Sequence, residues 1–597
     1  MTSPAITRTV RPLDGLRLET SGRPELNGLV AQHLQLLGAR RETAPATPAG
    51  HEPAHISLTG SDSGPVSAQV AWTDPGGPAS GLADEATVQA ATGIMAVHGR
   101  RDGAPRGLAV DYVATATAVL TVQGLLAGLL AQARGGGRAS QVATSADRAG
   151  LLAVSQYLAA AGAEEGEAAE LAAGGPPFTA ADGTLFELET LDPGVWAAFW
   201  RALEAPEDAI RAGWRPFQFR YATACAPFPQ VLHTTARSSS WQEIRHAARA
   251  AGADLCPLTS LAERAVENDG APPWTLASHE AGHRPAGVPP TADRPLAGLT
   301  VLEAGRRIQA PLAAHLLGLL GADVIRIEPP GGDPLRGMPP ACSGISARWL
   351  ALNRGKKAVE VDIKSEPDRR RLREMAAGAD VFLHNWAPRK AAQLGLDREH
   401  LTRANPGLVY AYTSGWAGRL PGAPMGTDFM VQARTGVGEA ARPADEPPAP
   451  SLMTLLDVLG GLLGAEAVLA GLLLRERTGR GARVDSSLLG AADLLTAPAL
   501  RRAAQGLEPR RPAGFRRPLP TADGWIAPAD AYAAEAAHHD LRGLPTEAAL
   551  ERLRAHGLTA TAVTADLAAL HDDPRFAGVL SRDAHGAPAV PDPWSFA

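Results

Sequence analysis

The chain is written twice, and that duplication restricts its fold more than any other feature. "RPLDGLRLE" from Arg11 returns as "RPLAGLTVLE" from Arg294, and "LVAQHLQLLGA" (29–39) returns as "LAAHLLGLLGA" (312–322) at the same offset. "TVQAATGIMA" (87–96) pairs with "MVQARTGVGE" (430–439), and the long apolar run from Asp111 with the one from Asp457. "FTAADGTLF" (178–186) pairs with "LPTADGWIA" (519–527), and "PPWTLA" (272–277) with "DPWSFA" (592–597). Matches that keep their order along the chain mark a tandem repeat. With 597 residues to divide, two copies imply several domains rather than one core.

The two copies have lost different parts. Between Gly321 and Val409 the second copy carries "DVIRIEPP", "KAVEVDI" and "DVFLHN", alternating with helical segments such as "PDRRRLREMAAGA". Short β-branched runs separated by helices predict a parallel, Rossmann-like sheet, whose ligands sit at the carboxyl ends of the strands. The first copy runs almost directly from Gly38 to "HISLTG" at His55, matched here to "LVYAYTSG" at Val409, so its sheet is truncated. Towards the end of each copy the imbalance reverses: Asp182 to Gly252 is much longer than Asp523 to Gly557. The expected fold is α/β. A Rossmann-like large domain and a small α+β domain are duplicated in tandem as an interlocked intramolecular pseudo-dimer. The expected limits are 11–170 (truncated large domain), 171–277 (small domain), 278–293 (linker), 294–505 (intact large domain) and 506–597 (shortened small domain and tail).

Composition closes several other routes. A net charge of −6 and a pI near 6.3 give a nucleic-acid or membrane-surface partner no basic footprint. Cys225, Cys256 and Cys342 are widely spaced and odd in number, so neither a disulfide framework nor a metal knuckle is expected. The N-terminus lacks the apolar core of a signal peptide, and a cytoplasmic location is expected. "LMTLLDVLGGLLGAEAVLAGLLL" (452–474) is long enough to span a membrane, but it contains Asp457 and Glu466, so a buried helix is expected. His279-Glu280-x-x-His283 has the spacing of a zinc peptidase helix. It falls just past the first copy's end and is followed by Pro285, Pro289 and Pro290, which stop a helix. It reads as linker, and no metal is expected. Among 57 Lys plus Arg only Lys356, Lys357, Lys364 and Lys390 are lysines, all in the stretch the first copy lacks. "LNRGKKAVEVDIK" therefore suits either a phosphate-bearing ligand or a solvated surface.

Several of these segments resemble one family. "PLAGLTVLEAGRRIQAPLAAHLLGLLGADVIRIEPPGGDPLR", "LNRGKKAVEVDIK", "ADVFLHNWAP", "TDFMVQARTG" and "LLRERTGRGARVDSSLL" are similar to the family III CoA-transferases. This is the CaiB/BaiF or formyl-CoA transferase family, which includes alpha-methylacyl-CoA racemase. The resemblance covers nearly all of 294–597 and, more weakly, 11–277. It implies interlocked protomers with each active site between one large domain and the other protomer's small domain. Applied to the fused chain, it implies one working site, built from the second copy's sheet and the first copy's small domain.

The resemblance makes Asp457 the nucleophile, with Gln309 beside the reacting thioester; the first copy has Asp111 and Leu26 at these places. Asp457 also reads as a helix N-cap. For coenzyme A it points to Arg326, Asn353, Lys356, Lys357 and Asn385, with Trp386 near the adenine. The implied activity is acyl-CoA:carboxylate CoA transfer through a covalent aspartyl intermediate. The CoA thioester is a substrate, no cofactor is permanently bound, and a small carboxylic acid is the second partner. The family's racemases have His-Asp where this chain has Thr427-Asp428, which disfavours racemisation without excluding other isomerases. A non-catalytic CoA-ester binding protein is the alternative of another class. No glycine-rich loop precedes "TADG" in the second copy, and the first has only Gly174 and Gly175 there.

Overall fold

The first copy contributes strands β1 (Arg17–Ser21), β2 (Arg40–Arg41), β3 (Ala54–Thr59), β4 (Val66–Ala71), β5 (Ser140–Ser145) and β6 (Trp274–Ala281). The second contributes β7 (Thr300–Ala304), β8 (Asp323–Glu328), β9 (Lys357–Glu360), β10 (Val381–His384), β11 (Val409–Ser414), β12 (Arg480–Ser487) and β13 (Trp594–Phe596). The structure is a computed structural model, and it describes residues 10–42, 53–60, 64–74, 77, 81–136, 140–167, 170–281, 289–291 and 293–597.

The two large sheets have the orders β2-β1-β3-β4-β5-β13 and β9-β8-β7-β10-β11-β12-β6. Each copy's tail strand thus joins the other copy's sheet. Trp274 of β6 lies opposite Ser486, and Trp594 of β13 opposite Thr144, both antiparallel. In the second sheet every other pairing is parallel, as its alternating strands and helices predict. The linker expected from 278 gives way to strand through Ala281. His279 is therefore on an extended edge strand, where residues four apart do not share a helix face; His283 lies outside the described residues.

The truncated sheet contains a reversal. β3 is antiparallel to both β1 and β4, while β4 runs parallel to β5. By direction and position the counterpart of β11 is therefore β4, and the match of His55 to Val409 is corrected by one strand. A β3–β4 hairpin replaces the crossover helices that parallel pairing requires, which is how the first copy dispenses with so much chain.

Helices α1 (Pro24–Leu36), α2 (Tyr112–Ala133), α3 (Gln309–Leu319) and α4 (Leu455–Thr478) complete the central core. α2 and α4 are each long and apolar enough to cross a membrane, yet 100% and 94% of their most apolar windows are buried inside the protein. They pack on one another across the copies. Tyr112 Oη donates to the Leu455 carbonyl at 3.1 Å, and Gln123 Nε2 donates to the Leu462 carbonyl at 2.7 Å. Glu466, the acid buried within α4, accepts from Trp274 Nε1 on β6 at 3.1 Å and lies 3.1 Å from His33 Nδ1 on α1. Burial opposes a charged His33, but the Glu466 carboxylate outweighs it and raises the imidazole's pKa. One side chain thus ties three elements at the seam, and a buried charge needs such partners.

The small domains differ in size. The first packs strands Leu185–Glu189 and Asp254–Pro257 and helices Pro193–Ala202, Glu207–Thr223 and Trp241–Ala251 around Phe178, Phe186, Trp196, Phe199, Trp200 and Phe217. The second retains Trp525–Pro528, Ala560–Ala562 and Thr546–Ala555 around Ile526, Leu541 and Leu553.

Candidate active site

A cavity of about 1110 Å³ opens between the first copy's small domain and the carboxyl ends of the second sheet. Glu189, Trp214, Arg220, Tyr221 and Asp254 line it from the first copy, and Arg307, Gln309, Asn385, Trp386, Asp428 and Asp457 from the second. This is the strand-end location that a parallel sheet favours.

Asp457 is the third residue of α4 and does not cap it. The N-cap is Thr454, a left-handed residue (φ 53°) whose hydroxyl makes no capping bond. Capping falls instead to Asp428, whose Oδ2 accepts the Asp457 N–H at 2.7 Å. Asp428 is itself held by Gln432 Nε2, which also donates to the Ser451 carbonyl at 2.9 Å. The first copy repeats the device: Glu85 accepts from Gln89 Nε2, Val113 N and Ala114 N, each at 2.8 Å. Because a neighbouring acid caps the helix, the Asp457 side chain is released. Among the described residues no donor reaches its carboxylate, and the side chain is partly exposed to the cavity. Enclosure by protein, then the negative charge of Asp428, push its pKa up to about 8, while Arg307 pulls the other way. Burial likewise lifts Asp428, to about 6.

Gln309 opens α3 and is 4% exposed, with Nε2 3.5 Å from the Ser414 carbonyl. Glycines on α4 make room for it. A Cβ on Gly460 would lie 2.8 Å from Gln309 Nε2, and one on Gly461 2.9 Å from the Gln309 carbonyl. Gly460 is three residues past Asp457, on the same helix face, so α4 presents the acid and the gap for the amide together.

Of the residues expected to hold coenzyme A, the structure brings only Asn385 and Trp386 to the cavity. Asn385 brackets Arg306: its Oδ1 accepts the Arg306 N–H and its Nδ2 donates to the Arg306 carbonyl, both at 2.9 Å. Arg326 is buried against Glu303, Glu328 and Asp333. Lys356 Nζ donates to Glu303 at 2.8 Å, the Pro311 carbonyl at 2.8 Å and Asn353 Oδ1 at 2.9 Å. Burial pulls the Lys356 pKa down to about 8, against the raising effect of Glu303. Lys357 is 72% exposed and pairs with Asp323. Arg326, Lys356 and Asn353 thus form a buried cluster and Lys357 a surface pair. None of these four lines this cavity, so the cradle expected from the lysine run is not part of it.

The cations that do line the cavity are arginines. Arg220 bonds Glu189 at 2.9 Å, Arg419 pairs with Asp269 and Asp493, and Arg483 pairs with Asp485. Among the described residues Arg306, Arg307 and Arg389 have no acidic partner. The Arg-Arg doublet immediately before Ile308-Gln309 was the available signal, obscured by a composition in which arginine is everywhere. Strain gathers here too: Arg307, Arg389, Ala417 and Thr454 line the cavity with positive φ, a cost that functional sites tolerate. A glycine-rich wall also exists, but in Gly415–Gly426 rather than before "TADG". Trp416 Nε1 fastens it to the Pro424 carbonyl at 2.7 Å, and the Met425 N–H reaches Asp254 of the first copy at 3.2 Å. Gly174 and Gly175 pack instead on Ala226 and Leu452.

The corresponding place in the first copy is filled. Asp111 bonds Arg516 at 2.7 Å and Arg511 at 3.2 Å. Arg516, only 6% exposed, also donates to the Leu108 and Val110 carbonyls at 3.1 and 3.0 Å. Leu26, at the position of Gln309, is in the core.

The model of CoA-transferase family III matches residues 70–287 and again 296–581. A succinyl-CoA:glutarate CoA-transferase of Mus musculus is 36% identical over 199 residues, 33% of this chain and 46% of that protein. An acetyl-CoA:oxalate CoA-transferase of Acetobacter aceti is 35% identical over 245 residues, 40% of this chain and 61% of that one. A solved CAIB/BAIF family protein from Brucella suis is 27% identical, covers 50% of this chain and 91% of its own, and has a TM-score of 0.45. The chain spans about half the length of the curated relatives it matches. With both halves of the repeat matched by one family model, the chain belongs to CoA-transferase family III.

Proposed function

We propose that the protein transfers coenzyme A from an acyl-CoA to a small carboxylic acid at one composite site. In this reading Asp457 is the nucleophile and the fused chain is an interlocked internal pseudo-dimer, active as a monomer in the cytoplasm. The observation that carries the reading is the Asp457 carboxylate: no donor among the described residues reaches it, and it faces a cavity walled by both copies. Nothing in the fold's own stability calls for a carboxylate there, since Asp428 supplies the cap.

The ionised Asp457 attacks the donor's thioester carbonyl, forming a mixed anhydride and expelling CoA thiolate. The thiolate returns to the aspartyl carbonyl, leaving an aspartyl-CoA thioester and freeing the donor's acid. The acceptor carboxylate then takes the CoA. Gln309, on α3 against the face of α4 that carries Asp457, holds the thioester oxygen in this reading. An anhydride hydrolyses in water, so the two small-domain and sheet walls serve to exclude it. The thioester is a substrate, and the chemistry requires no resident cofactor. The relatives named for glutarate and oxalate support a small carboxylic acid as acceptor. Thr427, in the racemase base position, donates its hydroxyl to Glu189 at 2.7 Å, which favours transfer over racemisation. In the first copy, Arg516 occupies the space beside Asp111, which supports a single working site.

Incubation with a panel of acyl-CoA thioesters, trapping with borohydride or hydroxylamine and intact-mass analysis test this. Modification of Asp457 is expected. Solvent deuterium at the substrate's α-carbon without modification would indicate an isomerase, and neither result would indicate a binding protein.

A further inference from the structure

We infer that Arg307 is the residue that seats the acceptor's carboxylate against the aspartyl-CoA thioester at Asp457, an inference that rests on the transferase reading above. Arg307 is held on the cavity wall in a left-handed conformation (φ 62°). For a residue with a Cβ that conformation is strained and persists only where the surrounding structure holds it. Asn385 fixes the peptide group that leads into it with two hydrogen bonds to the backbone of Arg306. The Arg307 guanidinium lies 5.3 Å from the centroid of the Tyr221 ring, which the first copy supplies. The side chain therefore spans the seam of the composite site.

Its charge has no acid to answer. Arg220, Arg419 and Arg483, on the same walls, are each paired with a carboxylate, whereas Arg307 has no such partner among the described residues. Arg306 and Arg389 share that condition, but Arg307 is the one that also reaches across the seam to Tyr221, and its charge acts on the Asp457 carboxyl. That relation changes during turnover. While Asp457 is ionised, Arg307 faces a negative charge across the cavity. Once Asp457 becomes a thioester the charge is gone, and the guanidinium is left to attract the next anion to arrive. A carboxylate suits its fork bidentately, and a cation in a partly dehydrated cavity offsets the cost of stripping water from that anion. An acceptor oxygen then attacks the aspartyl-CoA carbonyl: a C–O bond forms, the C–S bond breaks, and CoA leaves as thiolate. The thiolate attacks the acceptor's carbonyl in the new anhydride, forming C–S and breaking C–O. The acceptor departs as its CoA ester and Asp457 is restored as a carboxylate. No proton or electron is left over.

The test uses whichever acyl-CoA charges Asp457 in the wild-type chain; by reversibility its own acid, isotopically labelled, is an acceptor. Wild type, Arg307→Gln and Arg307→Lys are charged to completion. Each is then assayed for exchange with the labelled acid and for capture by hydroxylamine, a nucleophile that is neutral at pH 7.5. For Arg307→Gln the KM for the labelled acid is expected to rise at least tenfold while hydroxylamine capture stays within twofold, with Arg307→Lys between it and wild type. An unchanged KM, or an equal fall in both reactions, overturns the assignment. Absence of any adduct on wild-type Asp457 instead removes the transferase reading itself.

Discussion

Replacing Asp428 by Asn should shift the pH dependence of the first half-reaction towards acid. Only an ionised Asp457 can attack a thioester. With its pKa pushed up to about 8 by burial and then by Asp428, about one molecule in ten carries the nucleophile at pH 7. Below pH 8 the rate should therefore rise about tenfold per pH unit, then level off. Asn removes the charge of Asp428 and keeps one carbonyl oxygen that can still accept the Asp457 N–H. It cannot also accept from Gln432 Nε2, whose carbonyl oxygen is already taken by the Ser451 N–H at 2.8 Å. One buried donor is left unmet, a loss of about 1–3 kcal/mol, so the variant should fold with a lowered melting temperature. The assay is single-turnover release of CoA from an acyl-CoA, followed with a thiol reagent between pH 5.5 and 9.5. The acidic limb should reach its plateau at lower pH in the variant than in wild type. A flat wild-type profile across pH 6–9, or an alkaline shift in Asp428→Asn, would refute the electrostatic argument.

Three further substitutions separate the roles of neighbouring residues. Asp457 has a folded pKa near 8 against an ordinary value of 3.8, so ionising it works against folding. The destabilising contribution of this one group should grow as pH rises from about 4 through 8, so Asp457→Asn should melt above wild type at pH 9 but alongside it at pH 4. Gly460→Ala places a methyl 2.8 Å from Gln309 Nε2 and 3.1 Å from Leu488 Cδ2. Turnover should fall at least tenfold, while a helix-propensity gain of up to about 1 kcal/mol offsets part of the packing strain and leaves the chain folded. Asp111→Asn weakens a pairing with Arg511 and Arg516 in which the acid is 40% exposed. It should lower stability by no more than about 1 kcal/mol and leave turnover intact, whereas loss of turnover there would return the first copy to the active machinery.

The duplication was legible because apolar repeats and turn glycines survive in both copies, and from it followed the imbalance between the sheets. The parallel part of the intact sheet was legible because strands such as Val381–His384 and Val409–Ser414 are short apolar runs between helical segments. The reversal of β3 was not: a strand's direction is decided by its neighbours, and "HISLTG" carries no mark of it. Nor could residue pattern alone separate Asp457 as nucleophile from Asp457 as cap. The separation depends on Asp428, distant in sequence but 2.7 Å from the Asp457 N–H. Lys356 is a related case: the lysine run suggested a phosphate and the resemblance added Arg326, but Glu303 is buried between these two cations. Arg307 gave the opposite error. Its importance comes from a backbone conformation and an Asn385 clamp that only the folded chain displays.

The central claim is that the second copy's nucleophile works in a cavity closed by the first copy's small domain. A crystal structure with an acyl-CoA thioether, which binds but cannot be cleaved, tests it most directly. One ligand per chain is expected, its reacting carbon beside Asp457 and its flank against Glu189, Arg220 and Tyr221. A ligand enclosed only by residues beyond 294, or a second one bound beside Asp111, would contradict it.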